Sequence, residues 1–291
     1  MSQSHPPSLV TLVTQTLKRH ALWHAGECTL VAVSGGADSM VLLHVLAKLR
    51  EKFGHRIAAH GVDHGLRANA ATELDIAERF AAELGVPFSR TNLQVSSGGN
   101  LQARAREQRY FSLETAAKAA GATRIATAHH ADDRAETFIL RLLRGSGPKG
   151  LAVLPPASGD RIRPLIGVRR EQILAYAGRH HIPFSNDPSN IDPRFARTRV
   201  RAEVLPLLHQ LNPKIVEHLS ILADQLAAAN LPNAPEIDDF AADLPRTTRN
   251  ALAELQRSRS PHMQIALTGG LVASYDRAQD KVIVSRSKVH E

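Results

Sequence analysis

The first two-thirds of the chain alternate between short apolar runs and longer stretches whose apolar residues recur at helical spacing. The runs predict four strands and the longer stretches predict four helices. Strands are expected at 28–34, 56–63, 87–93 and 123–130, and helices at 38–50, 71–85, 100–121 and 131–145. This order predicts an α/β fold, a parallel twisted sheet with helices on both faces. In such a sheet ligands bind outside the carboxyl ends of the strands.

The alternation fades after Gly150. One further helix is expected within 163–184, and a polar stretch at 186–211 runs into another. From Pro213 the sequence is helical and rich in alanine. The tail alternates apolar and polar residues around Gly269-Gly270 and Arg277–Asp280, a pattern that predicts small antiparallel strands. We therefore expect a domain over 1–212 and a smaller C-terminal domain over 213–291.

Charge and cysteine content narrow the class of protein. The 291 residues carry a formal net charge of +8, which favours a polyanionic partner. The start lacks the basic and apolar parts of a signal peptide, and no apolar run is long enough for a membrane span. A single cysteine, Cys28, excludes intramolecular disulfides and cysteine-built metal sites. These features indicate a cytoplasmic protein.

The first candidate for chemistry is the turn "SGGADS", Ser34 to Ser39, between the first strand and its helix. Backbone N–H groups of a glycine turn at a helix N-terminus bind phosphate without a lysine, and Gly35 and Gly36 let the backbone approach closely. Asp38 would repel phosphate unless a cation lay between them, so we expect Mg²⁺ there. The alternative is that Asp38 merely caps the helix.

The second candidate is "TAHHADDRAET", where the fourth strand ends and its helix begins. Asp133 and Glu136 are three residues apart, so both can face one site, although acidic residues in a first turn are also favoured by the helix dipole. His129 and His130 add polar groups at the same strand end. A third polar stretch, "VDHGLR" at 62–67, ends the second strand. Because these stretches follow parallel strands, we expect one common site.

Two other motifs lack the context that their function needs. "GSGPKG" at 145–150 matches a dinucleotide fingerprint but follows a helix instead of a strand. "AVSGG" is similar to a nucleophile elbow, but Ala32 replaces the first glycine, so Ser34 is not expected to act as a hydrolase nucleophile. Cys28, at the start of a buried strand, is expected in the core.

Taken together, the motifs resemble a known family. "SGGADS" resembles the pyrophosphate-binding loop of the N-type ATP pyrophosphatases, the PP-loop superfamily. "VDHGLRANA", "NLQARAREQRY", "TAHHADDRAETFILRLLRGSG" and "DPSNIDPRFARTRVRAEVLPLL" follow in the order found in tRNA(Ile)-lysidine synthases. The resemblance covers roughly residues 29–212, and "LTGGLVASYDRAQDKVIVSR" is similar to that family's second domain.

The resemblance implies a two-step ligation on the wobble cytidine of the CAU anticodon of tRNA(Ile). ATP adenylates the C2 oxygen of the base and releases pyrophosphate. The ε-amine of free L-lysine then attacks C2 and expels AMP, which leaves lysidine. ATP, Mg²⁺, lysine and tRNA are the implied ligands. The smaller C-terminal domain would contact tRNA, and a homodimer is left open.

The resemblance also implies site residues. It assigns to ATP Ser34, Gly35, Gly36, Ala37, Asp38 and Ser39, with Asp38 also holding the metal; to lysine Arg109, His129, Asp133 and Glu136; and to tRNA Arg197, Arg199 and Arg201. Asp38, Asp133 and Arg199 are the implied catalytic residues. Which of Asp133, Glu136 and His129 takes the lysine proton stays open. Thr198 and Ala202 depart from the family pattern of Asn and His, which leaves the individual roles in that segment open.

Simpler alternatives exist for two of the arginines. Arg109 could lie on a solvated helix face, and Arg199 could pair with Glu203 one helical turn away. An aromatic content of 4% leaves little base stacking, so tRNA docking should depend on Arg and Lys. A tRNA sulfur transferase on the same loop is one competing function, but Cys28 alone is a poor candidate for its chemistry. The other is a nucleotide-binding module without catalysis.

Overall fold

A computed structural model describes residues 7–63, 70–93, 101–185, 196–229, 246–260, 263–267, 271–276 and 281–286. Its main sheet has the order β3-β2-β1-β4-β6-β5. The strands are β1 (Cys28–Val33), β2 (Arg56–Asp63), β3 (Phe88–Asn92), β4 (Arg124–Ala126), β5 (Ala157–Ser158) and β6 (Arg161–Ile162). All neighbours pair in parallel except β5 and β6. This confirms the predicted α/β fold.

Helices cover both faces of this sheet and continue beyond it. They are α1 (Leu9–Arg19), α2 (Ala37–Leu49), α3 (Ala70–Glu83), α4 (Leu101–Ala119), α5 (Ala131–Leu143), α6 (Pro148–Leu151), α7 (Arg170–Arg179), α8 (Ala196–Arg199), α9 (Leu205–Leu211), α10 (Ile215–Ala228) and α11 (Arg246–Ser258). A π-helical turn, Val200–Val204, joins α8 to α9. None of the helices in the described ranges has the length and apolar character needed to cross a bilayer.

The core explains why β1, β2 and β3 lie where the sequence predicts them, whereas β4 ends at Ala126 and not at the predicted residue 130. β1 is buried at every position, as a central strand of a parallel sheet must be. On one face α1, α2, α3 and α7 bury a large cluster that includes Leu42, Leu46 and Ile173. On the other face α4 packs Leu113 against Leu30 of β1. The chain leaves β1 and β4 towards opposite sides of the sheet, so a crevice is expected between their carboxyl ends.

The region after residue 212 contributes to two separate cores. Val216 and Ala223 of α10 pack against α5, and Arg134 of α5 pairs with Asp224 of α10. Helix α11 has its own small core with the antiparallel strands β7 (Gln264–Leu267), β8 (Leu271–Asp276) and β9 (Lys281–Arg286). The antiparallel tail is thus confirmed. The boundary near 212 stays a prediction, and α10 packs with the helices before it.

Candidate active site

The phosphate loop forms the first wall of the site at the carboxyl end of β1. Gly35 has φ +78°, the left-handed region that glycine adopts without strain. Ser39 Oγ donates to the carbonyl oxygen of Gly36 at 2.9 Å and accepts from Ser34 N–H at 3.1 Å. The loop is thereby closed on itself, and α2 begins at Ala37, with its N-terminus facing the crevice.

Asp38 lies in the first turn of α2 but does not cap it. The cap position is Gly36, and no side chain bonds there. In the described part of the chain, Oδ1 of Asp38 is buried without a hydrogen-bond partner. Burial raises the pKa of this carboxyl above its ordinary value, while His130 and Arg170 act in the opposite direction. A buried carboxylate oxygen without a partner fits a cation, so the capping alternative is wrong.

The second wall is the segment after β4. His130 caps α5 and forms a capping box, because its Nδ1 accepts from Asp133 N–H and Asp133 Oδ2 accepts from His130 N–H. The ring is 1% exposed. Its Nε2 lies 3.8 Å from Asp38 Oδ2 and 3.4 Å from Asp133 Oδ2. His130 Nε2 therefore lies between the loop carboxylate and Asp133 and, in the described part of the chain, has no hydrogen-bond partner. The sequence did not indicate this position, although His130 stands in the motif.

A cavity of about 170 Å³ lies between the two walls. Its lining comprises Ala32, Ser34, Gly36, Asp38, Ser39, Arg109, Thr127, Ala128, His129 and Asp133. Sites for drug-sized ligands measure roughly 300–1,000 Å³, so this cavity fits one end of a nucleotide. Arg109 lies at the cavity, as the resemblance implies. Thr127 is an addition, and it bonds His129 Nδ1 at 2.9 Å.

The titrating groups of the cavity have shifted pKa values. Burial lowers the pKa of His129 to about 4, so its imidazole is neutral at pH 7. Burial acts to raise the pKa of Asp133, but the nearby His130 and Arg197 outweigh it and the pKa is lowered. Asp133 is therefore ionised at neutral pH, and the neutral His129 beside it does not repel a cation.

Glu136 lies deeper, on the same face of α5. It is 1% exposed, and two arginines hold its carboxylate. Arg197 donates from Nε to Oε2 at 2.8 Å, and Arg201 donates from Nε to Oε1 at 2.6 Å and from Nη2 to Oε2 at 2.9 Å. Arg197 also reaches Asp133 Oδ1 at 2.9 Å. The buried charge of Glu136 is thus compensated, as a buried carboxylate requires.

Of the three predicted arginines after residue 195, Arg199 does not bond Glu136. Its side chain is 63% exposed and bonds Glu203, the alternative weighed from the sequence. Arg197 and Arg201 are four residues apart and share a face, whereas Arg199 points away. Gly35 and Ala37 belong to the loop without lining the cavity. Most of "VDHGLR" and the stretch 187–195 lie outside the described residues.

Three features bear on the competing interpretations. Cys28 is buried at the opposite end of β1 from the loop, and burial raises the pKa of its thiol. The 145–150 motif opens only the four-residue α6, which is not a dinucleotide site. Within the described ranges, no three His, Cys, Asp or Glu side chains gather as a metal site. That arrangement is compatible with Mg²⁺, which proteins often hold with one or two carboxylates plus substrate phosphates.

The chain is similar to a known protein family over most of its length. A family model described as a PP-loop domain matches residues 9–208. A tRNA(Ile)-lysidine synthase of Pseudomonas aeruginosa is 36% identical over 90% of this chain and 63% of its own length. The enzymes of that name from Geobacter sulfurreducens and Xanthomonas axonopodis pv. citri are 35% and 43% identical, over 88% and 69% of this chain. Those alignments cover 52% and 47% of the relatives, so the chain spans about half to two-thirds of their length.

One solved structure shares the fold at lower identity. It is a U34-tRNA thiolase from Methanococcus maripaludis with its [4Fe-4S] cluster. The TM-score is 0.65 at 20% identity, over 81% of this chain and 84% of that one. At this identity the likeness concerns the fold alone.

Proposed function

Since this chain belongs to the PP-loop domain family, we propose that it ligates free L-lysine to C2 of the wobble cytidine in the CAU anticodon of tRNA(Ile). The observation that carries the proposal is the convergence of Asp38, His130 and Asp133 at the carboxyl ends of β1 and β4, with Arg197 joining Asp133 to the buried Glu136. Passive nucleotide binding needs no such carboxylate group. The tRNA(Ile)-lysidine synthase names of the similar proteins support the same activity.

The phosphate loop would bind the leaving half of ATP. Ser34, Gly36, Asp38 and Ser39 line the cavity, so the two serine hydroxyls and the backbone amides of the turn would contact the phosphate chain. Asp38 would hold Mg²⁺, which neutralises phosphate charge as pyrophosphate leaves. The C2 oxygen of the cytidine attacks the α-phosphorus, the bond to the β-phosphate oxygen breaks, and the base carries the adenylyl group.

The carboxylates of α5 would bind lysine for the second step. Asp133 offers an ionised oxygen at the cavity, and Arg109, which also lines it, suits the lysine carboxylate, which an arginine binds bidentately. The lysine ammonium would displace the half-exposed Arg197 side chain from Asp133 and Glu136. One of Asp133, Glu136 and His129 would take the ammonium proton. The neutral amine then forms the bond to C2, the bond between C2 and the adenylated oxygen breaks, and AMP leaves with that oxygen.

The arginines divide between two tasks in this proposal. Arg201, bonded to Glu136 beside Asp38, takes the catalytic place that the sequence assigned to Arg199. The exposed Arg199 would instead contact tRNA phosphate, together with Arg197 once lysine has displaced it. The net charge of +8 favours such contacts. The C-terminal region would add tRNA contacts, and a homodimer is compatible with this scheme.

Sulfur transfer is the competing function because tRNA sulfur transferases resemble this chain in the phosphate loop, and a U34-tRNA thiolase with its [4Fe-4S] cluster shares the fold. Such clusters are held by cysteine thiolates, and this chain has one cysteine, buried far from the loop. Nucleoside analysis separates the two. The chain is incubated with tRNA(Ile), ATP and labelled lysine, and the digested nucleosides are resolved. Lysidine supports the proposal, whereas unlabelled cytidine or a sulfur-containing nucleoside contradicts it.

A further inference from the structure

Two segments outside the cavity contact the phosphate loop at Gly35. A Cβ atom at Gly35 would lie 2.7 Å from the carbonyl oxygen of Glu73 and 2.8 Å from its Cβ, so the first turn of α3 packs directly on the loop. From the other side, Ser185 N–H donates to the carbonyl oxygen of Gly35 at 3.0 Å. Gly35 is therefore enclosed between the start of α3 and the residues that follow α7.

The two segments are also bonded to each other. Ser185 Oγ donates to Glu73 Oε1 at 3.3 Å. Glu73 is only 7% exposed, unlike a typical first-turn glutamate, which lies at the surface. Burying a carboxylate is costly unless hydrogen bonds compensate it. Contacts from Gly35 to Ser185, from Ser185 to Glu73, and from Glu73 back to Gly35 thus form a closed triangle.

The geometry points to Glu73 and Ser185 as positioning residues for the ATP phosphates. They hold Gly35 in the left-handed conformation, at φ +78°, directly before Gly36, Asp38 and Ser39, which line the cavity. Neither residue lines the cavity, so they act through the loop without touching the nucleotide. This inference rests on the proposed binding of ATP by the loop and is independent of lysine or tRNA chemistry.

The test measures Mg·ATP affinity by calorimetry in the full chain. Ser185→Ala removes the Oγ donor and Glu73→Ala removes its carboxylate acceptor, while the backbone contacts of both residues with Gly35 stay in place. Loss of this one hydrogen bond between the two segments should weaken ATP binding roughly three- to tenfold in each variant. Glu73→Gln keeps an acceptor oxygen and should lose less than Glu73→Ala. Because both residues act as one unit, the double variant Glu73→Ala/Ser185→Ala should bind ATP no more weakly than the worse single variant.

Two matched controls separate positioning from general destabilisation. Ser220→Ala removes a buried hydroxyl of α10 that has no hydrogen-bond partner among the described residues, and Glu83→Gln removes an exposed charge from the last turn of α3. Both should leave ATP affinity within twofold of wild type. The inference is wrong if either control weakens ATP binding as much as Ser185→Ala does. It is also wrong if the losses in ATP affinity of Glu73→Ala and Ser185→Ala add in the double variant.

Hydrogen exchange gives a second readout that does not need ATP. Amides of the segment 34–40 should exchange faster in Ser185→Ala, while those of α10 should not change. An unchanged loop segment overturns the inference even where ATP affinity falls. A wild-type chain that binds no ATP overturns the proposed function, and the positioning role with it. Intact ATP binding without lysidine formation overturns the function alone.

Discussion

Replacing Arg201 by alanine should damage the site, whereas replacing Arg199 should not, although the two residues are only two positions apart. Arg201 makes two hydrogen bonds, of 2.6 and 2.9 Å, to a carboxylate that is 1% exposed. A hydrogen bond to a charged group contributes about 1.5–3 kcal/mol. Arg197 remains on Glu136, and Arg201 is itself 35% exposed. We therefore expect Arg201→Ala to reduce the free energy that stabilises the site by about 2 kcal/mol.

The control substitution has a different expected result. Arg199 and Glu203 form an exposed pair one turn apart, and solvent and salt screen such pairs strongly. Arg199→Ala should therefore leave the free energy of unfolding unchanged within the error of urea unfolding. It should lower the salt dependence of tRNA binding by about one phosphate contact.

The assay combines urea unfolding with initial rates of lysidine formation. A loss of about 2 kcal/mol in the free energy of activation or of lysine binding corresponds to roughly a 30-fold slower reaction or weaker apparent lysine binding in Arg201→Ala. Arg201→Lys keeps the charge but loses the bidentate contact, so it should fall between the two. Equal losses in Arg199→Ala and Arg201→Ala would refute the assignment of Arg201 to the site.

The remaining predictions concern single side chains. Asp38→Asn should abolish tRNA-dependent pyrophosphate release, whereas Glu136→Gln should retain it and require roughly ten- to a hundredfold more lysine; equal loss in both would assign both carboxylates to ATP. Cys28→Ala should keep full turnover and cost about 1 kcal/mol of stability; lost turnover with intact folding would revive sulfur transfer. Burial lowers the pKa of His44 from 6.5 to about 4, so unfolded chains bind that proton first and stability falls as the pH drops below 6.5. The free energy of unfolding, measured in urea, should therefore fall between pH 7 and pH 5 by about 2 kcal/mol less in His44→Gln than in wild type. An equal fall in both proteins would contradict this prediction.

Local patterns predicted the sheet and the loop because both depend on nearby residues. The run of apolar residues in β1 and the glycines after it are visible in sequence, and their positions agree with the structure. Helix α1 was overlooked although its signal was present, since Ser8 caps it and Leu9, Val13 and Leu17 recur every four residues on the buried face. The β5–β6 hairpin could not be found, because strands of two residues have no detectable period.

Partners of charged side chains were harder to predict. Arg197 and Arg201 bond Glu136 across 61 and 65 residues of chain, and no local pattern specifies that contact. Their spacing of four residues puts them on one helical face and Arg199 on another. This spacing is the local signal that separates the two arginines of the site from Arg199. The hydrogen bond between Ser185 and Glu73 could not be predicted from the sequence either, because it joins residues 112 positions apart.

The most direct test of the proposed function is the fate of the ATP phosphates with and without lysine. ATP labelled at the α- or γ-phosphate is mixed with the chain and tRNA(Ile). Without lysine, we predict about one pyrophosphate released per active site and no free AMP, because the adenylyl group stays on the base. Adding lysine should release AMP and form lysidine in equal amounts. Release of ADP and inorganic phosphate, or of AMP without lysine, would contradict the account.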